Sequence, residues 1–210
     1  VGIGCNNFGR RIGAAQSERV VHAALDAGIT LFDTADMYGP RLSEEYLGRA
    51  LRGHRQDAIV ATKFGKPVGG APASATADYI ARSIEDSLRR LRTDYVDLYQ
   101  IHEPHREVPL AETLGALDEL VRAGKVRAIG CSNFSAEQLD EARAVAQEKR
   151  RTQFVSVQNE YSLLERAPEQ DGVLDACERL GIAFIPFFPL ASGLLTGKYD
   201  RSQPPPPETR

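Results

Sequence analysis

The chain has 210 residues, of which 42% are hydrophobic and 26% charged, which suits a single folded domain with a sizeable core rather than a disordered segment. Its formal net charge of −3 argues against a nucleic-acid-binding surface. The longest apolar stretch, residues 181–195, is interrupted by Pro186 and Pro189 and is too short to span a membrane, and no signal peptide is recognised, so no membrane association is expected.

The three cysteines, Cys5, Cys131 and Cys177, are odd in number and follow no disulfide or zinc-binding spacing. We interpret them as reduced thiols, which are typical of a cytoplasmic protein. No metal site is expected, because His102 and His105 lack the i, i+4 spacing of a helical zinc motif.

Apolar runs alternate with helical periodicities along the whole chain and predict alternating strands and helices. The first strand begins at Val1 and runs into a glycine-rich loop, which has Asn7 where a dinucleotide-binding fingerprint has glycine. The other predicted strands cover residues 31–33, 58–63, 95–101, 126–131, 154–158 and 183–187.

Several helix ends carry capping signals. Ser17 and Ser43 are predicted to cap the first two helices, and Pro109 suits the first position of the fourth. Ser135 and Gln138 have the spacing of a capping box for the fifth helix.

The predicted strands are continuous apolar runs, which are typical of a parallel sheet covered by helices on its faces. Polar residues follow the end of nearly every strand, as they do at the catalytic face of an eight-fold barrel. The sequence therefore predicts an α/β fold, a (β/α)8 TIM barrel that is incomplete, with about seven βα units and no eighth strand. A doubly wound open sheet is the alternative, although it would gather ligand groups at one crevice.

Four chemically active side chains stand at or just past predicted strand ends: Asp33, Tyr38, Lys63 and His102. An ammonium beside a phenol lowers its pKa, and Asp33 could hold Lys63 in place. His102 could bind the same substrate oxygen or relay a proton. The set suits protonation of an oxyanion, as in hydride addition to a carbonyl.

Each of these residues also has a structural interpretation. Lys63 and Asp33 could form an ordinary ion pair, and Tyr38 could simply pack in its loop. Lys63 could instead form a Schiff base, but an aspartate bound to it would favour the charged, non-nucleophilic ammonium. The occurrence of one such group at each strand end favours the catalytic interpretation.

Four segments resemble the aldo-keto reductase family: residues 32–39, 97–102, 124–133 and 189–199. They occur in the family's order, and the similarity extends over residues 1–199. The resemblance implies a barrel that binds NADP(H), or possibly NAD(H), without a Rossmann domain. It also implies reduction of a small-molecule carbonyl substrate, whose identity the sequence does not indicate.

The resemblance also implies roles for individual residues. Tyr38 would donate the proton, Lys63 and Asp33 would support it, and His102 would orient the carbonyl. The residues matching the family's cofactor contacts are Ser132, Asn133 and Gln158 for the carboxamide, Phe187 for stacking, and Leu190 and Ser192 for the pyrophosphate. Phe187 stands where the family usually has tyrosine, and it keeps the stacking face.

The chain departs from the family pattern at its ends. Residues 200–210 form a polar, proline-rich tail after the barrel-like domain of residues 1–199, and a typical barrel needs about 250 residues. We therefore expect a fragment or a trimmed product that lacks the segment binding the adenosine phosphate. Two alternatives to a reductase follow: a non-catalytic, redox-sensing nicotinamide-binding subunit, and an inactive truncated fragment. The oligomeric state is not predicted.

Overall fold

The structure is a computed structural model that describes residues 1–70 and 72–199. The predicted tail, residues 200–210, lies outside the described residues. The strands are β1 Gly2–Gly4, β2 Leu31–Asp33, β3 Ile59–Phe64, β4 Val96–Ile101, β5 Val126–Ser132, β6 Phe154–Glu160 and β7 Ala183–Phe187. The α-helices are α1 Ala14–Asp26, α2 Leu42–Ala50, α3 Ala77–Leu91, α4 Leu110–Arg122, α5 Ala136–Glu148, α6 Ala167–Gln170 and α7 Val173–Leu180.

The strands form one parallel sheet in which the spatial order follows the chain order from β1 to β7. A doubly wound sheet would reverse its order at a switch point, so that alternative was wrong. The Gln158 amide on β6 donates to the Asp33 carboxylate on β2 at 3.1 Å. In a flat sheet these strands would lie about 19 Å apart, so the sheet is curled. The prediction of an incomplete (β/α)8 barrel with seven strands is confirmed.

The core lies between the outer face of the curled sheet and the helices. The predicted stripe of α3 is buried: Ile80 and Ile84 are inaccessible to solvent, and Leu88 and Leu91 are nearly so. They belong to one continuous hydrophobic cluster that also includes Phe32, Val60, Ile101 and Ile129 of the strands. Each fully buried side chain of this size contributes about 1.5–3 kcal/mol to folding. No helix within residues 1–70 and 72–199 is both long and apolar enough to cross a membrane.

Three predicted helix starts were wrong by one to four residues. Ser17 lies inside α1, where its hydroxyl donates to the Gly13 carbonyl at 3.0 Å. Ser43 lies in the first turn of α2, and its hydroxyl bonds to other loops instead of capping the helix. Pro109 precedes α4 rather than opening it. The capping box of Ser135 and Gln138 is present as predicted, since both of its partners are local in sequence.

Candidate active site

A cavity of about 1350 Å³ opens at the C-terminal ends of the strands and extends along β1 and β7. Nine of the ten predicted site residues line it: Asp33, Tyr38, His102, Ser132, Asn133, Gln158, Phe187, Leu190 and Ser192. The tenth, Lys63, is fully buried directly beneath them. The fold therefore brings all ten residues to one place, as parallel strands of a barrel require.

The innermost element of the site is an ion pair between Lys63 and Asp33. The Lys63 ammonium donates to the Asp33 carboxylate at 2.6 Å and to the Thr34 carbonyl at 3.0 Å. The other Asp33 oxygen accepts the Gln158 amide at 3.1 Å and the Gln100 amide at 3.4 Å. Burial alone would lower the pKa of Lys63, but Asp33 raises it, and the net shift is upward. Lys63 is therefore a charged ammonium rather than a nucleophilic amine.

Tyr38 stands in the turn that connects β2 to α2. Its backbone amide donates to the Ala35 carbonyl at 3.2 Å, and the following Gly39 adopts a left-handed φ of 59°. The Lys63 ammonium lies 5.3 Å from the centroid of the Tyr38 ring. The phenol thus lies within electrostatic reach of a buried cation, which is the geometry expected of a tuned proton donor.

The direction of the Tyr38 pKa shift differs from the sequence-based expectation. Burial raises the pKa of Tyr38, Lys63 lowers it, and Asp33 raises it, with a net upward shift. The lowering of the pKa that was expected from Lys63 is present, but burial, which disfavours phenolate, and the negative charge of Asp33 together outweigh it. The phenol is therefore protonated at neutral pH and has a proton to give.

The His102 ring lies beside Tyr38, with the ring centroids 5.8 Å apart and the planes nearly perpendicular. Burial lowers the pKa of His102, and the cations Lys63 and Lys66 lower it further, to about 3. The imidazole is therefore neutral at physiological pH. A neutral ring can donate one hydrogen bond to a substrate oxygen without adding a charge.

The opposite side of the cavity presents amide groups. The Asn133 amide nitrogen donates to the His102 carbonyl at 2.9 Å, and the Gln158 nitrogen donates to Asp33 at 3.1 Å. Within residues 1–70 and 72–199 neither amide oxygen accepts a hydrogen bond, so both could accept from the NH2 group of a carboxamide. The Ser132 hydroxyl, however, donates to the Gln158 carbonyl at 2.6 Å, so its proton is used within the protein.

A loop of unusual backbone conformation follows β7. Phe188, Ala191 and Ser192 have positive φ angles between 46° and 55°, and Gly193 has a φ of 102°. Two amides of this loop bond within it: Ala191 donates to the Phe188 carbonyl at 2.8 Å and Gly193 to the Leu190 carbonyl at 2.9 Å. Phe187, just before the loop, lines the cavity with an aromatic ring, which suits stacking on a flat ligand ring.

No sequence pattern indicated a buried network around Glu44, which is described below. Within residues 1–70 and 72–199, no three His, Cys, Asp or Glu side chains lie close enough together to hold a metal ion. The three cysteines are free and buried.

Comparison with known proteins agrees with this geometry. The profile of the Aldo/keto reductase family matches residues 1–210. The chain is 44% identical over 186 residues to Aldo-keto reductase YhdN of Bacillus subtilis, covering 87% of this chain and 54% of that protein. It is 36% identical over 203 residues to L-glyceraldehyde 3-phosphate reductase of Escherichia coli K12, covering 92% of this chain and 58% of that protein.

A solved structure gives the same result. The crystal structure of the thermostable aldo-keto reductase Tm1743 in complex with the inhibitor epalrestat superimposes with a TM-score of 0.83 at 35% identity, covering 94% of this chain and 70% of that one. The chain spans little more than half the length of the two curated relatives described above. The family profile, the sequence identities and the shared fold all indicate the same family, and the chain belongs to the aldo/keto reductase family.

Proposed function

We propose that this protein reduces the carbonyl group of an aldehyde or ketone to an alcohol, using NADPH, or alternatively NADH, as the reductant. The observation that carries the proposal is the placement of Tyr38 and His102 in the cavity wall directly above the buried Asp33–Lys63 pair. Membership of an oxidoreductase family supports it. Since residues 1–199 hold all of these groups, we assign the activity to this part of the chain as one barrel domain.

In the proposed mechanism, the chain's own residues handle the proton and the developing charge. When bound, a reduced nicotinamide would supply a hydride to the carbonyl carbon, which leaves an alkoxide oxygen to be protonated. Tyr38 donates its phenolic proton to the resulting alkoxide oxygen, and the Lys63 ammonium stabilises the phenolate that remains. Neutral His102 donates a hydrogen bond to the same oxygen and orients the carbonyl.

The cofactor would lie across the other side of the cavity. The oxygens of Asn133 and Gln158 would accept the carboxamide NH2 group, with Ser132 fixing the strand end between them. Phe187 would stack on the nicotinamide ring. Leu190 and Ser192, in the loop after β7 that lines the cavity, would contact the pyrophosphate.

Replacement of Tyr38 by Phe tests the proposal, because it removes only the hydroxyl. We expect turnover of an aldehyde such as 4-nitrobenzaldehyde to fall by about 10²–10⁴-fold, the usual contribution of a positioned general acid. NADPH binding should be unchanged in a fluorescence titration, which is simplified because the chain has no Trp. Tyr46→Phe, in α2 and outside the cavity lining, is the matched control. Unchanged turnover in Tyr38→Phe would contradict the assignment.

A further inference from the structure

The cavity is more cationic than the rest of the chain. The sequence has 29 acidic and 26 basic residues, yet within residues 1–70 and 72–199 the charged side chains that line the cavity are four cations and one carboxylate. The carboxylate is Asp33, whose charge is matched by Lys63 at 2.6 Å. The four cations are Arg10, Arg11, Lys66 and Lys198. A concave site lined with one sign of charge focuses its field and attracts ligands of the opposite sign.

One of these cations belongs to the cofactor side. Lys198 lies against the loop that carries Leu190 and Ser192, since a Cβ atom added to Gly193 would be 3.1 Å from its ammonium nitrogen. The Lys198 ammonium is therefore placed to bind the negatively charged phosphates of a cofactor in that part of the cavity. The remaining three cations lie on loops after β1 and β3, on either side of the turn that carries Tyr38, and need a different explanation.

Arg10 and Arg11 are held close to the proton donor by their backbone. Both of their amides donate to the Asn7 carbonyl, at 3.2 and 2.9 Å, which closes a tight turn. This loop rests directly on the residue after Tyr38, because a Cβ atom added to Gly39 would lie 2.0 Å from the Phe8 carbonyl oxygen. Within residues 1–70 and 72–199 neither arginine forms an ion pair.

Lys66 lies on the other side, two residues beyond the end of β3. The Phe64 carbonyl accepts the His102 backbone amide at 2.8 Å, which joins this strand end to the histidine. The positive charge of Lys66 acts on the His102 ring through space and lowers the pKa of His102. Its ion pair with Glu103 is loose, at 3.5 Å, and Glu103 does not line the cavity. Lys66 therefore keeps a charge available to a ligand in the cavity.

We infer that the carbonyl compound reduced at this site carries a carboxylate or phosphate group, which Arg10, Arg11 and Lys66 bind while its carbonyl faces Tyr38 and His102. Guanidinium groups match the two oxygens of such anions with paired N–H donors. Binding energy from this remote group orients the carbonyl for reduction. The inference rests on the proposed reductase function and narrows its substrate class.

The test compares matched aldehydes that differ in charge. The first pair is 4-carboxybenzaldehyde with methyl 4-formylbenzoate, and the second is 4-formylphenyl phosphate with 4-methoxybenzaldehyde. The ratio of kcat/KM for the anionic to the neutral member is measured for the wild type and for Arg10→Gln, Arg11→Gln and Lys66→Gln. Comparing ratios between variants cancels the intrinsic reactivity of each aldehyde. The two pairs show whether carboxylate or phosphate is preferred.

We expect each substitution to lower the ratio for at least one pair by about two- to fivefold, as for partly exposed ion pairs. Arg19→Gln is the matched control, since Arg19 is exposed on α1 away from the cavity. Ratios that are the same in all variants would overturn the inference. So would a rise in the KM for NADPH without a change in the ratios, because the cations would then serve the cofactor.

A wild-type chain that reduces none of these aldehydes would contradict the proposed function. The substrate inference is then decided by calorimetric titration with 4-(hydroxymethyl)benzoate and 4-(hydroxymethyl)benzamide. Tighter binding of the carboxylate that is weakened in the three variants supports the inference. Equal binding of the two compounds overturns it.

Discussion

Among single residues, Asp36 is an unusual feature of the turn that precedes Tyr38. It is almost completely buried, and its Oδ1 atom has no hydrogen-bond partner in the described part of the chain. Burial raises the pKa of Asp36 to about 7, and Glu44 contributes to the rise. The cations Arg90 and Arg41 oppose this rise by lowering the pKa of Asp36. The phenols of Tyr79 and Tyr99 also face Asp36, whose negative charge raises the pKa of both.

This shift predicts a pH-dependent effect of Asp36→Asn. Because the folded-state pKa lies above the usual value of 3.8, the folded protein binds more protons between pH 4 and pH 7, and stability is lost as the pH rises through this range. The variant lacks that loss, so its stability relative to wild type should increase from pH 4 to pH 8 by roughly 2–4 kcal/mol. Urea unfolding at both pH values measures it, with Asp26→Asn on the surface as control. A difference independent of pH would contradict the prediction.

The turn after Tyr38 requires glycine at position 39, because both its backbone conformation and a close contact exclude a side chain. The φ of Gly39 is 59°, and an added Cβ would lie 2.0 Å from the Phe8 carbonyl oxygen. Gly39→Ala should therefore cost about 2–5 kcal/mol of stability, through backbone strain plus a clash with the main chain. Gly53→Ala separates the two causes, since Gly53 has a φ of 83° with nothing within 4 Å.

For Gly53→Ala we expect a loss of about 1–2 kcal/mol from backbone strain alone. Thermal unfolding of both variants gives the comparison. Equal losses would show that the contact between the loop after β1 and the turn after Tyr38 does not constrain Gly39.

The meeting of Asp33, Tyr38, Lys63 and His102 could be predicted because these residues follow strand ends, which apolar runs reveal. The protonation and hydrogen bonding of the site residues could not be predicted in the same way. The upward pKa shift of Tyr38 depends on burial, and the bond from Ser132 to the Gln158 carbonyl depends on how two strand ends meet. Neither is encoded in local spacing.

At the level of elements, the first turn of α2 holds the turn that carries Tyr38 in place. The Ser43 amide donates to the Tyr38 carbonyl at 3.2 Å. One oxygen of the fully buried Glu44 accepts the Thr62 hydroxyl at 2.6 Å, and the other accepts the Arg90 guanidinium at 2.7 Å. Thr62 directly precedes Lys63, so α2 connects Tyr38 to the strand that carries Lys63.

Removal of the Glu44 side chain should be strongly destabilising. Glu44→Ala leaves the mostly buried Arg90 guanidinium without its counter-charge and the Thr62 hydroxyl without its acceptor. We expect a loss of about 3–5 kcal/mol, typical of breaking one side of a buried pair. The neighbouring Glu45→Ala, at an exposed position, should cost less than about 1 kcal/mol. Chemical denaturation measures both, and similar losses would refute the role of Glu44.

The same helix shows why some element boundaries were mispredicted. Ser43 has the residue type of a cap, but its hydroxyl donates to the Cys5 carbonyl at 2.8 Å and bonds Thr34 at 2.8 Å. These partners lie 38 and 9 residues away along the chain. Only caps whose partners are local, such as Ser135 with Gln138, can be predicted from the sequence alone.

For the whole molecule, the alternation of apolar strands and amphipathic helices predicted a parallel sheet covered by helices, and the polar residues after nearly every strand end favoured a barrel over a doubly wound sheet. The curl that brings β6 within hydrogen-bonding distance of β2 is a property of the assembled sheet. Among the described residues, the four cations that line the cavity come from three distant parts of the sequence, residues 10–11, 66 and 198, so their proximity is likewise a property of the folded chain.

The central claim is that this cavity transfers a hydride from a reduced nicotinamide to a carbonyl carbon. The most direct test is to incubate the folded chain with an aldehyde and NADPH in which both C4 hydrogens of the nicotinamide are deuterium, and to analyse the alcohol by mass spectrometry and NMR. We predict deuterium on the carbinol carbon of the product and greatly reduced product formation with Tyr38→Phe. An alcohol without deuterium, or no alcohol from a chain shown to be folded, would contradict the claim.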